Sequence, residues 1–159
     1  MNMKRYQDTA TLLLRFALAI GFLSAVSSRL GLLCTHSSGW TNFLAYAGKV
    51  NSFLPESMVM LFAIASTILE GGFALLLLMG YQTRWASAGA AGLTLAFALA
   101  MTYSFGLKDP LDYSVFAFSA GSFLLSTMPQ YCWSIDELIL KKGNNTKKAN
   151  MYEKANYKK

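Results

Sequence analysis

The sequence predicts an all-α integral membrane protein, a bundle of four transmembrane helices with an amphipathic surface helix between spans 1 and 2. The 159-residue chain is 54% hydrophobic and only 14% charged, whereas a soluble domain carries about 25% charged residues. Four apolar runs approach or reach the ~20 residues that cross a bilayer. Polar or proline-containing segments separate these runs, so the chain can cross four times.

The net positive charge of the chain lies entirely in its C-terminal end. Residues 1–140 hold seven basic and seven acidic residues, whereas residues 141–159 hold seven lysines and one glutamate. We therefore divide the chain into a membrane domain, residues 1–140, and a basic tail, residues 141–159. The tail is poor in apolar residues, which predicts disorder. No basic face or folded nucleic-acid motif is present, so no nucleic-acid partner is expected.

The first span is expected at about residues 10–33, and its apolar run is too long for a cleaved signal peptide. The next segment has apolar residues at helical spacing, namely Trp40, Phe43, Leu44, Ala47, Val50 and Leu54. About 15 residues cannot cross a bilayer. This segment therefore predicts a helix on the membrane surface, ended by Pro55.

Spans 2, 3 and 4 are expected at about residues 57–80, 85–106 and 111–128. The polar turn at residues 81–84 is short enough to make spans 2 and 3 antiparallel neighbours. Within span 2, Gly71 and Gly72 are expected to permit close helix contact or a kink. After Pro129, residues 134–137 form a capping-box pattern that opens a short surface helix.

The basic residues predict the orientation of the bundle. Lys4, Arg5, Arg84 and the lysine tail fall on one side after four crossings, and Arg29, Lys49 and Lys108 on the other. The positive-inside rule favours the cytoplasm for both termini. We therefore expect a multi-pass protein of the cell (inner) membrane, surrounded by lipid.

Ionisable residues inside the predicted spans are the first functional candidates, because each needs a partner or a polar cavity at that depth. With span centres near Phe22 and Ile68, Arg15 and Glu70 lie about 7 Å apart along the bundle axis at 1.5 Å per residue. Arg29 is nearer 13 Å from Glu70 on the same estimate. The hypothesis is an Arg15–Glu70 pair, with Arg29 serving the outer half beside Asp112.

Alternatives remain open for each of these residues. An intramembrane pair can fix helix register without further function, and Arg15 can extend to the lipid headgroups. A polar set at the outer end, including Tyr103, Asp112 and His36, can line a pocket under the surface helix or form a solvated loop cluster. Thr83 and Arg84 mark the cytoplasmic turn.

Redox ligands are scarce in the sequence. Cys34 and Cys132 form no CxxC motif, and His36 is the single histidine. We therefore expect no metal, haem or iron–sulfur centre held by this chain alone, and no covalently bound cofactor. This composition does not predict that the chain catalyses a reaction on its own.

Three segments in this order resemble the DoxX family: residues 12–23 around Arg15, residues 40–55, and the stretch from Glu70-Gly71-Gly72 to Gly80-Tyr81-Gln82-Thr83-Arg84. The resemblance covers about residues 10–128. It implies a small four-helix membrane protein, in a family named for a subunit of a thiosulfate:quinone oxidoreductase. Arg15, Glu70, Thr83 and Arg84 match recurrent polar positions of that family.

The resemblance favours an accessory or quinone-interacting subunit of a membrane oxidoreductase complex, with quinone as the expected cofactor. Other membrane proteins or further copies of the chain are the expected partners. The alternative is a non-enzymatic protein that binds membrane partners, assists assembly or handles lipid. An autonomous transporter is less favoured, because no inverted repeat is recognisable.

Overall fold

A computed structural model describes residues 3–32 and 37–143, and these residues form helices without strands. The helices are α1 (Met3–Arg29), α2 (Gly39–Val50), α3 (Glu56–Met79), α4 (Thr83–Phe105), α5 (Lys108–Asp112) and α6 (Val115–Ser126). Residues 135–143 form a further helical segment, α7. Three of these helices, α1, α3 and α4, are long and apolar enough to cross a membrane.

α1 and α3 pack as antiparallel neighbours through one stripe of buried side chains. The buried positions of α1 are Thr11, Arg15, Leu18, Ala19 and Phe22, which follow the helical repeat. Leu18 and Leu77 share one buried cluster. Phe22 and Ala74 share the next cluster. These contacts fix the register between the two helices.

α4 and α6 also run antiparallel. The Ser119 hydroxyl of α6 donates to the carbonyl oxygen of Ala91 at 2.9 Å, and Nε of Arg84 donates to the carbonyl oxygen of Ser126 at 3.3 Å. α6 therefore returns the chain to the end of the bundle where α4 begins.

The fourth apolar run differs from the expected single helix at residues 111–128. α5 ends at Asp112, and Ser114 has the left-handed φ of 55° before α6 begins. The 12 residues of α6 extend about 18 Å, which is short of a ~30 Å hydrocarbon core. The break at residues 113–114 explains the difference, because an L-residue at positive φ cannot continue a right-handed helix.

α2 lies against the first half of α3. Ala47 of α2 forms a buried cluster with Val59 and Ala63 of α3, and Trp40, Phe43 and Leu44 pack around it. Trp40, Phe43, Leu44 and Ala47 of the predicted stripe therefore face α3, and the helix ends at Val50, before Pro55. At the C-terminal end of α2, the carbonyl oxygen of Val50 accepts a hydrogen bond from the Ser104 hydroxyl of α4 at 2.7 Å. This bond links α2 to α4.

Gly80 is the point where α1, α3 and the segment before α7 meet. Its φ of 67° is left-handed, and a Cβ there would lie 2.5 Å from Cβ of Ser134 and 2.7 Å from Nη1 of Arg15. Gly71 and Gly72 behave differently, since a Cβ at either position meets no atom within 4 Å. Within the described residues, the expected close helix contact at Gly71 and Gly72 is therefore absent, and the alternative, a kink, stays a prediction.

The capping pattern at residues 134–137 is confirmed for Ser134, whereas the Glu137 side chain binds the N–H of Trp133 instead of that of Ser134. The Glu137 N–H donates to the Ser134 hydroxyl at 3.1 Å, and the Glu137 carboxylate accepts from the Trp133 N–H at 2.8 Å. Residues 141–143 belong to α7. The rest of the predicted disordered tail, residues 144–159, lies outside the described residues.

Candidate functional site

The buried ion pair of the bundle joins Arg29 to Glu70. Nη1 of Arg29 donates to Oε1 of Glu70 at 3.0 Å, with side-chain exposures of 15% and 2%. The same nitrogen lies 3.4 Å from Oγ1 of Thr67, one turn earlier on α3. The guanidinium carbon is 4.1 Å from the ring centroid of Phe43, a cation–π contact from α2. Two helices, α2 and α3, therefore hold the Arg29 head group.

The predicted Arg15–Glu70 pair is wrong. Arg15 is 2% exposed, and its Nη2 donates to the carbonyl oxygen of Trp133 at 2.8 Å. This places Arg15 at the Gly80 end of the bundle. On the register set by the Leu18 and Phe22 clusters, Glu70 lies level with about residue 26 of α1. Arg29 is therefore the arginine within reach of Glu70.

The predicted Arg15–Glu70 pair is wrong because α1 begins well before its apolar run. The sequence estimate placed Phe22 level with Ile68, whereas Phe22 packs with Ala74, a displacement of about 9 Å along the axis. α1 starts at Met3, before the apolar run, and its first turns extend past the end of α3. The midpoint of the apolar run is therefore not level with the midpoint of α3.

Arg29 opens onto a cleft of about 540 Å³, which we call the Arg29 cleft. α2 forms its roof through Phe43, Tyr46 and Val50, among others. Its two long walls are apolar except for Ser66: Phe62, Ala65, Ser66 and Leu69 of α3, and Leu93, Ala96, Phe97 and Ala100 of α4. Glu70 is not among the lining residues. Glu70 therefore orients Arg29 from outside the cleft, and the Arg29 head group is the part of the pair that can contact a ligand.

Four polar side chains define what the Arg29 cleft can bind. Asn51 Nδ2 and the Ser66 hydroxyl already donate to the carbonyl oxygens of Ala47 and Ala63, at 2.9 and 3.0 Å. Arg29 and Tyr46 remain as candidate donors. Burial, and then Tyr113 and Asp109, raise the pKa of the Tyr46 hydroxyl. Tyr46 is therefore a protonated donor at neutral pH.

The other predicted outer residues do not join this cleft. Tyr103 is 73% exposed and meets the Phe53 ring edge to face at 5.5 Å. Asp112 is exposed and pairs with Lys108, so the suggested Arg29–Asp112 partnership is wrong. His36 and Cys34 lie outside the described residues.

Thr83 and Arg84 lie at the opposite end of the bundle. They are the first residues of α4 rather than part of a turn. Thr83 is fully buried, and its hydroxyl oxygen has no partner in the described ranges. Its N–H and that of Gln82 each donate to the Asp136 carboxylate at 2.8 Å. Arg84 lines a second cleft, of about 660 Å³, which we call the Arg84 cleft.

Sequence reasoning missed three contributors to the Arg29 site. Thr67 lies one helical turn before Glu70, a spacing that could have identified it. Phe43 and Tyr46 come from α2, and no sequence spacing connects them with Arg29. Within residues 3–32 and 37–143, no three His, Cys, Asp or Glu side chains are grouped closely enough to hold a metal ion.

The three candidate spans indicate a multi-pass membrane protein that is all-helical over residues 3–32 and 37–143. The chain belongs to the DoxD family, a DoxX-like family whose model is described as "TQO small subunit DoxD" and matches residues 10–157. The match extends beyond the residues 10–128 that carry the resemblance in the sequence. Comparison with curated proteins and with solved structures finds no match.

Proposed function

We propose that this protein is a quinone-interacting subunit of a membrane oxidoreductase complex, with the quinone in the Arg29 cleft. The observation that carries the proposal is a buried, oriented arginine at the end of an apolar cleft. The family description names a TQO small subunit, which fits this class. Redox chemistry is assigned to the complex, and this chain binds and orients the quinone.

The residues of the cleft fit a quinone by their chemistry. A quinone head offers carbonyl oxygens that accept hydrogen bonds, and Arg29 and Tyr46 are the candidate donors on this cleft. The volume of about 540 Å³ falls in the range of small-molecule sites, which combine apolar walls with a few polar groups. A guanidinium group only donates hydrogen bonds, whereas the Tyr46 hydroxyl can both donate and accept.

Lipid access is part of the proposal. Phe62 and Leu69 line the Arg29 cleft and are about half exposed on α3. A ligand dissolved in the bilayer can therefore enter between α3 and α4, with its isoprenoid tail along the apolar walls. Glu70 acts as a positioning residue, because it fixes Arg29 without lining the cleft.

The proposed topology has four membrane crossings. The α5–α6 segment completes a fourth crossing, α2 lies at the outer surface, and both termini face the cytoplasm of the cell (inner) membrane. Other subunits, or further copies of this chain, pack against the exposed apolar faces. Four crossings agree with the antiparallel contacts between α4 and α6.

The test is quinone binding by the protein purified in mild detergent. We expect quinone in the lipid extract and a rise in melting temperature when a short-chain quinone analogue is added. Arg29→Gln removes a charged donor worth about 1.5–3 kcal/mol, and should weaken analogue affinity by about 10- to 100-fold. Tyr46→Phe keeps the ring that stacks on Phe105 and should weaken affinity by about 2- to 10-fold.

Lys49→Gln is the matched control. Lys49 is an exposed cation on α2 that does not line the Arg29 cleft, so this variant should bind the analogue normally. If no quinone co-purifies and analogues leave the melting temperature unchanged, the quinone proposal fails. The alternative, a partner-binding, assembly or lipid-handling protein, would then be favoured.

A further inference from the structure

The Arg84 cleft lies at the opposite end of the bundle from the Arg29 cleft, and quinone binding does not use it. α3 ends and α4 begins at this point, and the cleft is bounded by the start of α4, residues 129–132 and α7. Its volume of about 660 Å³ is sufficient for a lipid headgroup and the first part of its chains.

Several features place the Arg84 cleft at the surface of the bilayer. Trp85 lines it and is 75% exposed, and Trp133 is also exposed nearby. Exposed tryptophans at the ends of spans are typical of the membrane–water interface. α7 adds a third feature, since Leu138, Ile139 and Leu140 are more than half exposed and Lys141 follows them. This arrangement is typical of a helix lying in the interface.

The carboxylates of the Arg84 cleft already have hydrogen-bond partners, so Arg84 is available to a ligand. Both oxygens of Asp136 accept backbone N–H groups of the α4 start. Glu137 accepts the Trp133 N–H and pairs with Lys141 at 2.7 Å. A guanidinium group carries five N–H donors, and Arg84 donates one of them to the carbonyl oxygen of Ser126. The remaining donors suit a phosphate group.

We propose that the Arg84 cleft binds the headgroup of an anionic phospholipid from the adjacent leaflet. The guanidinium group of Arg84 holds the phosphate. Trp85, Ile139 and Leu140 contact the glycerol and the upper acyl chains. The apolar lining favours a lipid over a soluble phosphate, because a soluble phosphate has nothing to place against these side chains. This site is independent of the proposed quinone function.

The experiment measures local lipid binding through Trp85 fluorescence. In a Trp40→Phe/Trp133→Phe background, Trp85 is the single tryptophan of the chain. Quenching is compared in vesicles that contain brominated phosphatidylglycerol or brominated phosphatidylcholine. We expect about a fivefold preference for phosphatidylglycerol, since one basic residue near the surface contributes about 1 kcal/mol. The preference should fall as salt is raised from about 0.1 M to about 1 M.

Two variants separate this site from general attraction by the lysine tail. Arg84→Gln should abolish the preference, whereas Arg5→Gln should leave it intact, because Arg5 is exposed at the start of α1 and does not line the cleft. Arg84→Lys should keep part of it, since lysine retains the charge but loses the planar fork.

Three outcomes would overturn the proposal. The first is equal quenching by the two lipids. The second is an equal loss of preference in Arg84→Gln and Arg5→Gln, which would show only general surface attraction. The third is an unchanged preference for phosphatidylglycerol in Arg84→Gln, which would show that Arg84 does not hold the phosphate.

Discussion

Arg15 and Arg29 show what decides the role of a charged residue inside a bundle. They lie on the same face of α1, about four turns or 21 Å apart. Both are buried or nearly so, yet one meets a carboxylate and the other a backbone carbonyl. The type of residue and its helix face are the same in both cases. The register between α1 and α3 places Arg29 beside Glu70 and leaves Arg15 beside the segment before α7.

Gly80 permits the contact between Arg15 and the segment before α7, and its replacement is a direct test of that packing. Gly80→Ala imposes a left-handed φ on an L-residue, at about 1–2 kcal/mol. It also places a Cβ within 2.7 Å of Ser134 and Arg15. We expect a loss of more than about 2 kcal/mol of stability, measured as a lower melting temperature in detergent.

Gly72→Ala is the matched control for Gly80→Ala. Gly72 lies inside α3, and a Cβ there meets nothing within 4 Å. Alanine is favoured over glycine in a helix by about 0.5–1 kcal/mol, so Gly72→Ala should leave the melting temperature unchanged or raise it. Similar losses in the two variants would contradict the close contact at Gly80.

At the scale of elements, the start of α4 depends on a side chain from a distant part of the sequence. Asp136 accepts both the Gln82 and Thr83 N–H groups, so α4 is capped by the first turn of α7. A negative charge at a helix N-terminus also interacts favourably with the helix dipole. Asp136 therefore links the end of the helix bundle to α7.

Asp136→Asn should weaken this link. An amide has one acceptor oxygen and no charge, so we expect a loss of about 1–2 kcal/mol. Hydrogen exchange of a peptide covering residues 80–90 should become faster. Asp112→Asn is the control, because Asp112 forms an exposed i,i+4 pair with Lys108 worth about 1 kcal/mol or less. Unchanged exchange in Asp136→Asn would argue against the cap.

The sequence predicted the elements better than their relative positions. α3 and α4 were expected at residues 57–80 and 85–106 and are found at Glu56–Met79 and Thr83–Phe105. Continuous apolar composition defines such helices locally. The Arg29–Glu70 pair was missed because register depends on contacts between α1 and α3. The break at Ser114 was missed because residues 111–115 contain no glycine or proline that would mark a positive φ.

Among the site residues, the sequence identified the charged ones and missed the aromatic ones. Arg29 and Glu70 can be identified from the sequence because a charge inside an apolar run carries a high free-energy cost unless it has a partner. Phe43 and Tyr46 belong to a stripe that any packed helix would show. Only the fold of α2 over α3 turns them into parts of a cleft.

At the scale of the whole molecule, the number of crossings is the main topological prediction. α6 is too short to cross alone, but α5 and α6 together connect the Ser104 end of α4 with its Arg84 end. We therefore expect residues 108 and 130 to lie on opposite sides of the membrane. Both Lys108 and Gln130 are exposed.

Cysteine labelling in sealed vesicles tests this arrangement. The native cysteines are first replaced, as Cys34→Ser and Cys132→Ser. Lys108→Cys and Gln130→Cys are then introduced separately. A membrane-impermeant maleimide added from outside should label one variant in intact vesicles and the other after permeabilisation. Labelling of both from the same side would mean that α5–α6 does not cross. The bundle would then have three spans, and the two termini would lie on opposite sides of the membrane.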